Sequence, residues 1–175
     1  MLVEEYIQIA KEEFPYLFDE YGFRIVYTYQ GEGRDLGRYD FGIDSDIYKM
    51  RIRFSREQGG GVIDFGPLSA SFYHKRILPK EFGGPPYEWV ALENLLWYLN
   101  RRRIDWSELE GYQDEDRIRP VFRLSSRLLK PHCPRVLEMF SSAEAIAAWK
   151  PQYEEFIDQE RLKRERLKRL KRGTE

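Results

Sequence analysis

Tyr48-Lys49-Met50-Arg51-Ile52-Arg53-Phe54 alternates apolar and basic side chains across residues 48–54 without a break. That is the period of a strand with one buried face and one polar face. Upstream, Tyr39, Phe41 and Ile43 alternate in the same way, and so do Phe23, Ile25, Tyr27 and Tyr29. Downstream, Glu57-Gln58-Gly59-Gly60-Gly61 reads as a turn and residues 62–65 as a short strand. Short turns between successive strands predict an antiparallel meander, because parallel neighbours need long crossovers. The sheet face carrying Arg24, Lys49, Arg51 and Arg53 is expected to be solvated.

Helical patterns flank the strands. Val3, Tyr6, Ile7, Ala10, Phe14, Leu17 and Phe18 recur at helical spacing, with a break expected at Pro15 and a stop at Gly22. Residues 67–86 are ambiguous: Leu68, Ala70, Phe72 and the run 73–78 suit a further strand before the Gly83-Gly84-Pro85-Pro86 breaker. Trp89, Leu92, Leu96 and Leu99 mark a helix that ends at Arg101, Arg102 and Arg103, where cations complement the helix dipole. Residues 107–116 read as loop or short helix, and 121–129 and 134–140 as helices. Ser141 and Glu144 have capping-box spacing, and Pro151 suits the first position of a last helix. The order predicts an α+β fold: an N-terminal helix, an antiparallel sheet of about four strands, then several C-terminal helices packed on one sheet face.

The 175 residues suit one domain, expected to span 1–157, with a basic helical tail over 158–175. Apolar residues make up 42% and aromatic residues 15%, enough to build a core and to exclude a wholly disordered chain. Charged residues reach 34% yet cancel to a net −1, so the molecule as a whole is not a polyanion binder by charge. The exception is local. Arg161, Lys163, Arg164, Arg166, Lys168, Arg169, Lys171 and Arg172 stand against Glu165 alone, while the rest of the chain is net negative. Glu160–Arg164 and Glu165–Arg169 are expected to form i,i+4 pairs along this helix. The tail reads either as a solvated helix end or as a contact surface for an acidic protein or nucleic acid, and its leucines form no regular heptad seam. Aromatic residues, which a single-strand-binding surface would use for base stacking, are absent after Phe156.

Cys133 is the lone cysteine, so nothing points to a disulfide framework. The start, with Glu4, Glu5, Glu12 and Glu13, does not read as a signal peptide, and no apolar run is long enough to span a membrane. A cytoplasmic location without membrane contact is the default expectation.

Few residues suggest chemistry. Gly31, Gly33 and Gly37 approach a dinucleotide fingerprint, but the third glycine is one place late and a strand follows, which favours a hairpin loop. Asp40, Asp44 and Asp46, with Asp64, offer hard oxygen ligands for Mg²⁺, although Asp and Ser at 44–46 also suit a turn. His74 is a catalytic candidate without a visible partner. His132 and Cys133 are adjacent, which seldom lets such side chains face each other as a nucleophile pair. Trp97, Tyr98, Arg101, Arg102, Arg103 and Trp106 mix aromatic and basic groups as a nucleic-acid surface does, although Trp97 also adjoins the leucine stripe of its helix.

The opening helix leading to Tyr21-Gly22-Phe23, then Tyr48 to Phe54 followed by a charged, glycine-containing turn, resembles small uncharacterised bacterial α+β proteins, some of them immunity-like. The segment from Val121 to Phe140, a helix before a short turn and a last helix, is similar too. Its motifs are strand and turn patterns, and no functional residue carries over from it. Without a convincing catalytic constellation, with balanced charge and with a sheet face of alternating Arg and Lys, the chain is expected to be a non-enzymatic immunity-like or accessory protein that binds another protein, with no cofactor and no metal. A nucleic-acid-associated protein acting through the basic C-terminal helix is the alternative, and a metal-dependent enzyme at Asp40, Asp44 and Asp46 is a third reading.

Overall fold

Pro15 divides the first helix, as its missing N–H and its ring require. The computed structural model describes residues 2–31, 38–55, 60–70, 89–110 and 114–172. In it α1 (Val3–Glu13) and α2 (Pro15–Asp19) meet at Phe14. Gly22 then turns the chain at φ +65°, a conformation that glycine adopts without a Cβ penalty. β1 (Arg24–Gln30), β2 (Arg38–Asp44), β3 (Tyr48–Ser55) and β4 (Gly60–Pro67) follow, then β5 (Val90–Ala91) and α3 (Leu92–Asn100). Short 3₁₀ turns at Ser107–Leu109 and Asp114–Arg117 lead to α4 (Ile118–Leu129), α5 (Cys133–Phe140) and α6 (Ala143–Arg172).

The strands form one antiparallel sheet in the order β1-β2-β3-β4-β5, the meander that the alternation predicts. It has a fifth strand. Val90 and Ala91 pair with Phe65 and Asp64, a stretch too short to announce itself by alternation. The candidate strand over 71–78 lies outside the described residues. Phe41, Ile43, Tyr48, Met50, Ile52 and Phe65 turn one sheet face into the core. The Tyr6 ring meets Phe41 at 5.4 Å and Phe122 of α4 at 5.1 Å, and Phe140 of α5 meets Tyr48 at 5.5 Å. Each such fully buried ring contributes about 1.5–3 kcal/mol of hydrophobic stabilisation.

The opposite face corrects the sequence reading. Arg24 is exposed there, but the Arg51 side chain is only 7% exposed and Asp64 beside it 6%. The register places Arg51 opposite Asp64 and Arg53 opposite Asp40, so each basic side chain has an acidic cross-strand neighbour. Trp89 covers the row: its ring lies 4.6 Å from the Arg51 guanidinium, and a Cβ at Gly66 would meet it at 3.0 Å. Lys49 donates to the Ala70 carbonyl at 3.0 Å. Internal charge pairing, rather than water, satisfies much of this face.

The C-terminal helices also differ in detail. Ser142, not Ser141, caps α6, accepting from the Ala145 N–H at 3.1 Å. Pro151 lies inside α6 instead of opening a new helix. The Gln152 side-chain amide donates to the Ala148 carbonyl at 3.1 Å, in the turn that Pro151 disturbs. Among the described residues no helix is long and apolar enough to cross a membrane.

Candidate functional site

α6 reaches back along the body before its last turns run past it. Trp149, Tyr153, Phe156, Glu160 and Arg164 fall on one helical stripe. The Trp149 indole donates to the buried Met139 carbonyl at 2.6 Å, and its ring meets Phe140 at 5.3 Å. Tyr153 packs on Tyr98 of α3 at 5.8 Å, and burial raises its hydroxyl to about 12. Phe156 packs edge-on against Trp97 at 5.2 Å and against Tyr98 at 5.7 Å.

This aromatic wall collects arginines. The Arg101 guanidinium lies 4.5 Å from the Phe156 ring centre and 4.8 Å from that of Tyr98. Arg103 and Arg164 share Trp97, at 4.1 and 4.8 Å. Such cation–π contacts contribute roughly 0.5–1 kcal/mol each at exposed sites. Arg101 ends α3 in the left-handed region, at φ 55°, which costs a non-glycine residue about 1–2 kcal/mol. The turn it makes carries Arg102 and Arg103 beside α6, where all three arginines are exposed.

The charge environment sets this cluster apart. Elsewhere, among the described residues, several arginines meet carboxylates: Arg24 meets Asp44 and Asp46, Arg119 and Arg123 meet Glu13, and Arg127 meets Glu108 at 2.6 Å. Among the described residues no carboxylate pairs with Arg101, Arg102, Arg103 or Arg164. The expected Glu160–Arg164 pair does not form, because Arg164 turns to Trp97 and Glu160 pairs with Lys163 instead. Arg161 pairs with Asp158 at 3.4 Å, and no Glu165–Arg169 pair occurs among the described residues. Arg161, Lys163, Arg166 and Arg169 are exposed, as are Leu162 (49%) and Leu167 (59%). The backbone at Lys168, Lys171 and Arg172 is helical, and those side chains lie outside the described residues.

The structure thus joins two features that the sequence keeps apart, the 101–103 triplet and the C-terminal basic run. Trp97 is core, 7% exposed, and its ring already serves two guanidiniums. Nothing in the local sequence couples residue 97 to residue 164; only the packing of α3 on α6 does.

The other candidates are dispersed. Asp64 accepts from Arg51 and Arg53 at 3.0 and 2.7 Å. Asp40 is buried opposite Arg53, while Asp44 and Asp46 lie at the other end of β2 beside Arg24. Asp40 and Asp44 are four strand residues apart, about 13 Å, too far to share one ion. Ser45 makes the turn there, its hydroxyl accepting from the Ile47 N–H at 3.2 Å. Cys133 is buried and its thiol is pushed up to about 12, chiefly by burial, the reverse of an activated nucleophile. His132 faces Asn100, with 3.2 Å between their side-chain nitrogens, and burial followed by Arg135 lowers its pKa. His74 and residues 32–37 of the glycine loop lie outside the described residues.

Comparisons with family models, with curated proteins and with solved structures return no significant match.

Proposed function

We propose that the chain is a non-enzymatic interaction protein, of immunity-like or accessory type, that binds a partner protein through the outer part of α6. One observation carries this reading: α6 continues past Arg164, its last contact with α3 among the described residues, and presents exposed leucines on either side of that point, Leu162 and Leu167, among basic side chains. Exposed arginines alone would suit any polyanion. Leu162 and Leu167 add apolar area, which protein contacts use and a phosphate backbone does not. Helix-mediated docking through apolar anchors flanked by charges is a common recognition mode.

The test keeps the chain at full length and reverses charge on α6, with Arg161→Glu, Arg166→Glu and Arg169→Glu combined. Affinity capture from native lysate compares this variant with the parent chain. A protein retained by the parent and lost by the variant supports the reading. Equal capture by both, or a captured fraction that nuclease treatment removes, counts against it.

A further inference from the structure

Beside the aromatic wall, the end of α3, the turn after it and α4 enclose a groove of about 350 Å³. Leu96, Leu124 and Leu128 give it an apolar lining, and Arg102, Arg103 and Arg127 stand around it with Asn100. Arg103 belongs to both this groove and the Trp97 ring that Arg164 of α6 touches, so the groove and α6 form one continuous surface.

The groove's charges are unequal. Arg127 is already engaged by Glu108 at 2.6 Å, and Asp105 accepts from the Ser107 N–H at 2.9 Å. Arg102 and Arg103 form no salt bridge among the described residues, although the Arg102 charge acts on Asp105 from a longer range, and Arg103 shares the Trp97 indole with Arg164. Planar guanidiniums match carboxylates two bonds at a time.

We propose that this groove receives an acidic segment of the partner protein, an apolar side chain seated against the half-buried Leu128, over the buried Leu96 and Leu124, and flanked by carboxylates that Arg102 and Arg103 bind. The inference rests on the reading of α6 as a partner-binding helix, and names the chemistry of that partner. The groove favours protein over nucleic acid. The lining offers apolar area that phosphates do not use, and the Trp97 ring that could stack on a base is buried under its own arginines.

Fluorescence anisotropy with two labelled probes tests this: a short peptide of Glu-Glu-Leu repeats, and duplex DNA of random sequence. The parent chain should bind the peptide, and the Trp97 indole N–H should shift on binding while that of Trp149 does not. Arg102→Glu, which removes an exposed side chain without breaking an ion pair, should weaken peptide binding by about tenfold or more, a change of about 1.4 kcal/mol. Arg103→Gln should act in the same direction. Thermal unfolding checks that each variant is folded, and Arg102→Glu alone suffices if Arg103→Gln is not. Peptide binding that the α6 charge reversal abolishes and Arg102→Glu leaves unchanged overturns the groove while keeping α6. Peptide binding that Arg102→Glu abolishes and the α6 reversal leaves unchanged keeps the groove and overturns the α6 reading. DNA binding without peptide binding, or binding of neither probe, overturns the proposal.

Discussion

Arg51 donates to Asp64 across β3 and β4, its Nη2 at 3.0 Å and its Nε at 3.3 Å from one carboxylate oxygen, with both side chains buried. Arg53 adds a third bond to the same oxygen at 2.7 Å. Burial, and after it the neighbouring Arg53, lowers the Arg51 guanidinium, while Asp64 acts to raise it. Asp64, with Asp40 opposite Arg53, thus makes two close arginines tolerable on a covered face.

Removing it should be costly. Asp64→Ala leaves Arg51 buried without its anion, and breaking a buried pair from one side costs about 3–5 kcal/mol. The double variant Asp64→Leu with Arg51→Met removes both charges and should be markedly more stable than the single one. Urea unfolding of the parent and both variants measures this. A single variant within about 1 kcal/mol of the parent would show that water reaches the row.

Gly22 should resist substitution for a backbone reason. Its φ is +65°, and an added Cβ would meet nothing within 4 Å. Gly22→Ala therefore meets no steric obstacle, yet should cost about 1 kcal/mol from the left-handed conformation. Thermal unfolding should show the loss with the fold intact.

The antiparallel meander was legible because residues 48–54 alternate strictly, and so was the break at Pro15. The fate of the basic sheet face was not. Alternation reports that Lys49, Arg51 and Arg53 share a side, but not that Asp40 and Asp64 are set opposite them or that Trp89 folds over them. Those are register and tertiary facts. The same limit applies to the candidate site. The basic run at 161–172 is visible as composition, whereas its union with Arg101–Arg103 depends on Phe156 and Arg164 reaching Trp97 from about sixty residues away, a separation that no local period encodes.

Alkaline conditions should destabilise the fold through Cys133. Its thiol is raised from 9.0 to about 12 by burial, so the folded chain holds a proton that the unfolded chain releases. The stabilisation is present below pH 9.0 and is lost as pH rises towards 12. Tyr153, raised from 10.0 to about 12, adds a second loss that begins one unit later. Urea midpoints between pH 7 and 11 should fall from near 9, and Cys133→Ser should delay the onset towards 10. The native thiol should also be inert to aromatic disulfide reagents until denaturant is added.

Arg164 should tie the outer part of α6 to the body. Its stack on Trp97 lies beyond Phe156, the last aromatic residue of the helix, so losing it removes the outermost cation–π contact between α6 and α3 among the described residues. Arg164→Ala should cost only about 0.5–1 kcal/mol of global stability. Its local effect should be larger: backbone amides from about residue 160 onward should exchange faster, while those near Trp149 and Tyr153 keep their protection, because local opening and global unfolding are separate equilibria. Lysine keeps the charge but loses the planar stack, so Arg164→Lys should fall between the two. Equal exchange in all three proteins would mean that the end of α6 is held by its own helical bonds, and that Trp97 serves Arg103 alone.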